Sequence, residues 1–353
     1  MTANANVAVD LGQISVFVDV AALLNGTLPK PPEPVLLARR DGQKLFYGGK
    51  VNVLYGDPEC GKTWIAYSAV VEALLAGWRC LIIDADHNGA SEVLHRLLRL
   101  GAPVDLLKNQ AIFRLTEPED SSELLTAVAA CLTWQPHVVV VDSIGEVVPM
   151  LGLNSNLPDD YTNANRRTLG AMAKGGAAVI GIDHMSKGTQ SRQQGQGGAN
   201  AKRRAVNGLS VRVTLDEPFA PGRIGSAFLR IDKDRPGAVR RDAPGRSLQV
   251  AGVFHLDSTR DGSSTWWITA PTDDDAEAAA DAEGDSDQLT PRSARKGTWN
   301  ASPADLAEID AIALRLGKHP TVREVKDASG WGGTRATEVT RTWKQMHLRE
   351  EQP

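Results

Sequence analysis

The sequence is poor in the features that mark secreted, zinc-bound and membrane-embedded proteins. Its 353 residues contain three cysteines, Cys60, Cys80 and Cys131, which are too few and too widely spaced for a disulfide framework or a zinc site. No apolar run reaches the ~18 residues that a membrane-spanning helix needs, and the N-terminus lacks the pattern of a secretory leader. These absences predict a cytoplasmic protein with no membrane contact and with cysteines that are small buried residues.

Neither sign of charge dominates, since the formal net charge is −4. Residues 273–287, however, contain eight acids and no base, and without those eight negative charges the rest of the chain has a net charge of +4. This asymmetry allows a locally basic surface, but the bulk charge does not by itself indicate a nucleic-acid partner.

Between residues 51 and 186, short apolar runs alternate with helical segments. The apolar runs predict strands at 51–55, 80–84, 111–115, 138–141 and 177–182. The segments between them predict helices at 62–76, 90–100, 121–132 and 159–173. Continuous apolar strands separated by helices are typical of a parallel sheet covered on both faces. The sequence therefore predicts an α/β fold with a mostly parallel sheet between helices.

The remaining segments predict four domain-level divisions. Residues 1–50 are a lead-in with a proline-rich strap, and the large α/β domain spans 51–271. Four β segments at 209–215, 226–231, 247–256 and 264–269 predict an antiparallel extension of that domain. Residues 272–301 are predicted to be an acidic, disordered linker that buries no core.

Residues 302–353 predict a small separate helical domain. Ser302 with Pro303 begins one helix, and Thr321 with Glu324 forms the capping box of a second. The third helix, 334–347, carries an apolar stripe on one face and the basic residues Arg335, Arg341 and Lys344 on the other. This order is typical of a helix-turn-helix or winged-helix-like domain, and a helical tail that binds protein is the alternative.

The strongest chemical signal is a glycine motif between a strand and a helix. It consists of Gly56, Asp57, Pro58, Glu59, Cys60, Gly61, Lys62 and Thr63, which fit G-x-x-x-x-G-K-[ST]. Glycines let backbone N–H groups wrap a phosphate, and the N-terminus of the following helix faces the same anion. We expect Lys62 to neutralise the β- and γ-phosphates and Thr63 to bind Mg²⁺, with the nucleotide-binding run extending to Trp64. The motif predicts ATP and Mg²⁺ as cofactors and leaves the reaction open.

Polar residues follow three other apolar strands. Asp142 ends the 138–141 run, where a buried strand would deliver a carboxylate to Mg²⁺ opposite Thr63. Asp84 and Asp86 follow the second strand and would either polarise the attacking water or cap the next helix. His184 follows the last apolar strand and is either a sensor of the γ-phosphate or a structural histidine.

A basic pair, Lys233 and Arg235, ends a β segment far from the glycine motif. Such a pair on a turn would reach a phosphate across a subunit boundary as an arginine finger, and the alternative is a solvated charged turn.

Taken in this order and spacing, the elements resemble RecA-like hexameric ATPases of the RepA and DnaB helicase type, and in particular AAA-family ATPases of actinobacteria and their phages. The likeness runs from about Asp19 to Arg241 and also rests on the segments 40–42, 47–52, 96–101 and 183–187. It implies a RecA-type core and a homo-oligomer, a hexameric ring, with ATP sites shared between neighbours.

The resemblance also assigns roles to single residues. It implies that Asp86 is the catalytic acid, His184 the γ-phosphate sensor, and Lys233 with Arg235 the trans-acting finger, beside Lys62 and Asp142. One departure is that the position matched by Asp86 is usually Glu in the family. Because Asp is one methylene shorter, we expect activation of water to be slower or shifted.

The functional prediction is a Mg²⁺-dependent ATPase that couples ATP hydrolysis to DNA binding and translocation, as a replicative-type DNA helicase of a phage, plasmid or integrated element. Single-stranded DNA would contact the C-terminal helices and the loop 187–204, whose basic residues are Lys187, Arg192, Lys202, Arg203 and Arg204. The alternative for that loop is a merely flexible, solvated segment. Alternatives for the whole protein are an ATP-switched DNA-binding regulator or recombination-type RecA-like ATPase without unwinding activity, and a small-molecule P-loop kinase.

Overall fold

The computed structural model describes residues 18–28, 30–155, 157–185, 199–244, 248–260, 262–284, 302–331 and 333–350. The chain forms two compact units, Met1–Pro32 and Glu33–Pro353. In the first unit, a single helical turn, Val20–Ala22, continues into a wider turn, Leu23–Thr27. None of the helices within these described ranges is long and apolar enough to cross a membrane.

The strands of the second unit are labelled in chain order. They are β1 (Leu36–Ala38), β2 (Lys44–Phe46), β3 (Val51–Gly56), β4 (Cys80–Asp84), β5 (Phe113–Thr116), β6 (Val138–Asp142), β7 (Ala178–His184), β8 (Leu209–Glu217), β9 (Ile224–Asp234), β10 (Val250–Asp257) and β11 (Thr265–Thr269).

The helices of the same unit are labelled likewise. They are α1 (Lys62–Leu75), α2 (Ala90–Arg99), α3 (Val104–Lys108), α4 (Ser121–Trp134), α5 (Ile144–Met150), α6 (Pro158–Arg167), α7 (Leu169–Lys174), α8 (Ala199–Ala205), α9 (Ala238–Arg241), α10 (Asp273–Gly284), α11 (Pro303–Leu316), α12 (Val322–Ser329) and α13 (Gly333–Glu350).

Nine strands form one sheet in the order β11-β10-β9-β8-β3-β7-β6-β4-β5. The six strands from β8 to β5 run parallel to one another, whereas β9, β10 and β11 add an antiparallel extension beyond β8. Apolar residues are buried on both faces of the parallel part, in two separate clusters. The α/β fold with a mostly parallel sheet and an antiparallel extension, predicted from the sequence, is therefore confirmed.

The strand order determines where polar side chains meet. Strand β3 lies between β7 and β8, and β7 separates β3 from β6. Because β3, β4, β6 and β7 are parallel, their carboxyl ends lie along one edge of the sheet. The glycine motif after β3 is thus placed beside the residues that follow the other three strands.

Three of the differences between the structure and the expected segments concern the lead-in, the helix 159–173 and the acidic linker. Within the expected lead-in, β1 and β2 form a hairpin whose residues Leu36 and Phe46 are buried in the main core. The predicted helix 159–173 is interrupted at Thr168, which has non-helical backbone angles. The expected disordered linker begins with helix α10, whose Ala276 and Ala279 are buried against apolar residues of β9 and β10, because these two alanines share one face of the helix.

The C-terminal helices α11, α12 and α13 pack around a small apolar cluster of their own. Its buried members are Ile309, Ile312, Val325, Trp331, Ala336, Val339 and Trp343. The expected capping box of Thr321 with Glu324 is present, and Ser302, the expected start of the first helix, forms a second capping box with Asp305. We refer to residues 302–350 as the C-terminal module.

Candidate nucleotide-binding site

The glycine motif forms a loop between β3 and α1. Gly61 has a φ of 97°, a conformation that favours glycine, and Lys62 begins α1. A Cβ on Gly56 would lie 2.4 Å from the Val213 carbonyl oxygen, so only glycine fits there. Lys62 is buried, and its Nζ donates to the carbonyls of Gly56 (3.1 Å) and Asp57 (2.7 Å). The ammonium group therefore lies inside the loop, where a phosphate-binding lysine is required.

Thr63 and Asp142 face each other across the end of the sheet. The Thr63 hydroxyl donates to Asp142 Oδ2 at 3.3 Å. Asp142 is buried, and this burial, together with the nearby Asp86 and Asp84 carboxylates, raises the pKa of Asp142 to about 6. Hydroxyl and carboxylate oxygens are the ligands that Mg²⁺ prefers, and a divalent cation would offset the negative charge gathered here. These residues fit the expected Mg²⁺ site.

The acids after β4 have different surroundings. Asp84 is buried and accepts hydrogen bonds from Asn88 Nδ2 (2.9 Å) and the Gly89 N–H (3.1 Å), which fixes the turn before α2. Asp86 instead accepts from the Ser143 hydroxyl at 3.0 Å. Of the two acids, Asp86 is therefore the one with a partly exposed carboxylate beside Asp142.

His184 completes this group of side chains. Its Nε2 lies 3.6 Å from Asp86 Oδ2, and half of the His184 side chain is exposed. The contact with His184 and the hydrogen bond from Ser143 hold the pKa of Asp86 below its usual range. The structure thus brings Lys62, Thr63, Asp86 and His184 to the same edge of the sheet as Asp142, although they lie far apart in sequence.

Asp183 immediately precedes His184 and is paired with a lysine. Lys202 Nζ donates to both carboxylate oxygens of Asp183, at 3.0 and 2.8 Å, and both side chains are buried. Burial raises the pKa of Asp183, and the Lys202 ammonium opposes that shift. This ion pair ties α8 to the end of β7.

The expected DNA-binding loop 187–204 is corrected in its last part. Residues 186–198, which include Lys187 and Arg192, lie outside the described residues, whereas α8 is a regular helix. Lys202 is buried in its pair with Asp183, so it does not present a charge to a phosphate backbone. Arg203 approaches Asp232 at 3.4 Å, and Arg204 is exposed.

Lys233 and Arg235 occupy different environments. Lys233 Nζ donates to the carbonyls of Arg203 (2.6 Å), Val206 (2.7 Å) and Arg204 (3.4 Å), so it caps the C-terminal end of α8. Arg235 is exposed at the following turn. Of this pair, Arg235 is the one whose charged group faces outward.

Aromatic rings flank the loop. Trp64 is half-buried, with the Arg96 guanidinium 5.9 Å from its ring. Phe219, in the connection between β8 and β9, lies against Gly61, and a Cβ on Gly61 would come within 2.4 Å of the Phe219 ring. Gly61 is therefore required both by its backbone angle and by this contact.

Several residues at the site were not expected from the sequence. Ser143 follows Asp142 directly, and the end of an apolar strand was a signal that could have included it. Lys202 and Phe219 are brought to the site only by tertiary structure, so no local pattern indicates them. The three cysteines are free and buried, as predicted.

Comparison with known proteins matches the same part of the chain. Residues 26–190 match the family model of the AAA domain, a range that contains the glycine motif, Asp86, Asp142 and His184. RecA proteins align over a similar length, with 28% identity over 146 residues for Chlorobium limicola and 29% over 147 residues for Rhodospirillum centenum, each covering 39% of this chain. This part of the chain is therefore similar to the AAA domain and to RecA proteins.

The RecA-like match is partial. The chain spans about two-fifths of the length of the curated relatives, 39% of the Chlorobium protein and 38% of the Rhodospirillum protein. A KaiC-like protein from Pyrococcus horikoshii covers 68% of this chain and 100% of its own length, with 12% identity and a TM-score of 0.47. Lys233, Arg235 and the C-terminal module lie beyond the part of the RecA-like core that the AAA domain model covers.

Proposed function

We propose that this protein is a Mg²⁺-dependent ATPase that couples ATP hydrolysis to binding and translocation on DNA, as a replicative-type helicase of a phage, plasmid or integrated element. The observation that carries the proposal is the meeting of Lys62, Thr63, Asp142, Asp86 and His184 at one edge of a parallel sheet. This arrangement combines a phosphate-binding lysine, a Mg²⁺ site and a water-activating acid, which together suit phosphoryl transfer to water.

Each residue has a distinct proposed role. Lys62 leaves its loop carbonyls to bind the β- and γ-phosphates, and Thr63 with Asp142 holds Mg²⁺, which would neutralise charge on those phosphates. Asp86, oriented by the Ser143 hydroxyl, accepts a proton from the attacking water. His184, in contact with Asp86, responds to the γ-phosphate.

Support for DNA and for self-assembly comes from the relatives and from Arg235. The matched relatives are RecA proteins, and one from Dictyostelium discoideum, 27% identical over 122 residues, is named a mitochondrial DNA repair protein. Arg235 is exposed at the end of β9, where it is available to a neighbouring subunit, whereas Lys233 is used within its own chain. In the proposed homo-oligomer, a hexamer, Arg235 alone therefore acts as the trans-acting finger.

A second candidate is an ATP-switched DNA-binding regulator that does not unwind DNA. The short Asp86 side chain favours it, because an aspartate has a shorter reach than a glutamate and this carboxylate already bonds Ser143 and contacts His184. This candidate predicts slow hydrolysis and nucleotide-dependent assembly.

The deciding experiment is steady-state ATP hydrolysis at low salt, with and without single-stranded DNA. We expect several-fold stimulation by DNA, with no turnover in Lys62→Ala and no stimulation in Arg235→Ala. Lys108→Ala and Arg223→Ala, which remove exposed bases, serve as matched controls. Slow turnover that ignores DNA would exclude the translocating ATPase and favour the regulator, and strand separation of a forked duplex would then separate translocation from unwinding.

A further inference from the structure

The third helix of the C-terminal module directs two of its bases at acids of the ATPase domain. Arg341 forms a close ion pair with Glu217, the last residue of β8. Lys344 Nζ lies 3.7 Å from Asp274 Oδ2 in the first turn of α10. Arg341 and Lys344 are three residues apart on α13 and therefore share one face.

Arg335, another base of the same helix, is used differently. Arg335 pairs with Asp305 at 2.5 Å inside the module, and its guanidinium stacks 4.3 Å from the centre of the Trp331 ring. Arg335 thus stabilises the module itself. Among the arginines and lysines of α13 whose side chains the structure describes, Arg341 and Lys344 remain for recognition, and they contact Glu217 and Asp274.

This contact between module and domain is electrostatic rather than apolar. Within the described residues, the apolar cluster of the module contains side chains of α11, α12 and α13 and of Trp331 in the connection between α12 and α13, and none from the rest of the domain. Both ion pairs are partly exposed, with 26% and 20% of the Arg341 and Glu217 side chains accessible, and 33% and 36% of the Lys344 and Asp274 side chains. Pairs with this exposure contribute little stability and are screened by salt. The contact is therefore weak enough to be exchanged for another polyanion.

We infer that the Arg341–Lys344 face of α13 is a nucleic-acid backbone surface that Glu217 and Asp274 occupy in place of phosphates. This inference rests on the proposed DNA-binding function and adds a regulated second site to it. Carboxylates held by two separate elements match a pair of bases on one helix face, as two backbone phosphates would. DNA must displace the two acids, so the closed module lowers the affinity of the protein for DNA.

The acids also lie close to the nucleotide loop. Glu217 is two residues from Phe219, whose ring lies against Gly61 of the glycine motif. A movement of the β8–β9 connection on nucleotide binding would therefore shift the carboxylate that holds Arg341. The module is consequently placed to open or close with the state of the ATP site.

The experiment is a double-mutant cycle on DNA affinity, measured by fluorescence anisotropy with a labelled single-stranded oligonucleotide at constant low ionic strength. Glu217→Gln should tighten binding by roughly threefold to fivefold, as expected for the release of one partly exposed ion pair. Asp274→Asn, on a different element, should act in the same direction. Asp273→Asn removes the same charge from an exposed neighbour and should change affinity little.

The double-mutant cycle distinguishes release of the Arg341–Lys344 face from a general effect of removing negative charge. Arg341→Gln should weaken binding little in the wild type, where Arg341 is occupied, and several-fold in Glu217→Gln, where it is released. Additive effects, or equal gains in Asp273→Asn and Glu217→Gln, would overturn the inference. Competition by polyglutamate as strong as that by DNA would also overturn it, in favour of an acidic protein partner.

The same variants distinguish this inference from the proposed function. If ATP turnover of the wild type is stimulated by DNA but the cycle is additive, the proposed function is supported, and the inference about the Arg341–Lys344 face is overturned. If DNA does not change the rate of turnover but Glu217→Gln gains affinity in the non-additive pattern, the inference about the Arg341–Lys344 face is supported, and the coupling of hydrolysis to DNA is excluded.

Discussion

Lys202 and Asp183 form a buried ion pair in which one ammonium group bonds both oxygens of one carboxylate. Asp183 immediately precedes His184, which contacts Asp86, and Lys202 belongs to α8, whose C-terminal end is capped by Lys233. The pair therefore joins the end of β7 to the helix that follows residues 186–198.

Breaking this pair should be costly because it leaves a charge buried without a partner. Lys202→Met is expected to lower the free energy of unfolding by roughly 3–5 kcal/mol. Arg204→Met, two residues along the same helix and exposed, should change it by no more than about 0.5 kcal/mol. Urea denaturation measures both, and Asp183→Asn added to Lys202→Met should recover most of the loss. Equal effects of the two single changes would contradict a buried pair.

Gly61 should tolerate no side chain, for two separable reasons. Gly77→Ala, at a φ of 73° with open space around it, should cost about 1–2 kcal/mol from backbone strain alone. Gly61→Ala adds overlap with Phe219, which should raise the cost by a further ~1–3 kcal/mol and weaken binding of a fluorescent ATP analogue. Phe219→Ala should cost less in the Gly61→Ala background than in the wild type. Additivity of the two changes would show that the ring does not press on the loop.

Asp86 and Ser143 should affect turnover more than nucleotide binding. Asp86→Asn removes the proposed proton acceptor and is expected to lower kcat by roughly 10²–10⁴-fold, with the Kd for ATP nearly unchanged. Ser143→Ala leaves the carboxylate in place but removes its hydrogen bond, so the loss should be smaller. Asp105→Asn, an exposed acid on α3, is the control. A loss of ATP affinity equal to the loss of kcat would contradict the proposed role.

Variants of Arg235 and Lys233 should distinguish a role in an ATP site shared between subunits from a structural role. Lys233→Met should reduce thermal stability because it uncaps α8, whereas Arg235→Ala should leave stability unchanged. An equal mixture of Arg235→Ala chains, which lack stimulation by DNA, and inactive Lys62→Ala chains should regain about a quarter of the wild-type DNA-stimulated rate, because one interface in four combines an intact loop with an intact finger. Absence of any recovery, with subunit exchange demonstrated, would place Arg235 outside a shared site.

His255 should make the protein sensitive to mild acid. It is stacked on Trp267 at 5.1 Å, and its burial lowers its pKa from 6.5 to about 4. In the unfolded chain this histidine binds a proton as the pH falls through about 6.5, whereas in the folded chain it does not until about 4. The stabilisation that depends on the neutral histidine is therefore fully present above pH 6.5 and is lost as the pH falls toward 4. Between pH 7 and 5 this should lower the free energy of unfolding by roughly 2 kcal/mol. His255→Gln should remove that dependence, which chemical denaturation at the two pH values would detect, whereas His95→Gln at an exposed site should not.

The parts of the fold set by continuous apolar runs were predictable. The expected strand at 80–84 coincides with β4, and the one at 138–141 falls one residue short of the end of β6. The runs are unambiguous because both faces of a central parallel strand are buried. Helix α10 was missed because its acids suggested solvation, while its buried contact depends on alanines, which carry little hydrophobic signal.

The predictable part of the candidate site consists of the polar residues that follow apolar strands in the sequence. Parallel strands bring such residues together, so His184 and Asp86 meet although about a hundred residues separate them. The use of Lys202 and Lys233 could not be predicted, because a basic residue in a polar segment has the same local pattern whether it is buried or solvated. Only the packing of α8 against β7 and β9 distinguishes these states.

Tyr47, ahead of β3, has a practical consequence for moving the α/β core of this chain into another protein. Its hydroxyl donates to Asp234 Oδ1 (2.9 Å) and accepts from the N–H groups of Ala238 (3.1 Å) and Val239 (3.2 Å), which fixes the turn that carries Arg235. A fragment that begins immediately before β3 would therefore lack Tyr47 and the hydrogen bonds that fix the turn with Arg235. The donor segment should begin no later than the hairpin that starts at Leu36.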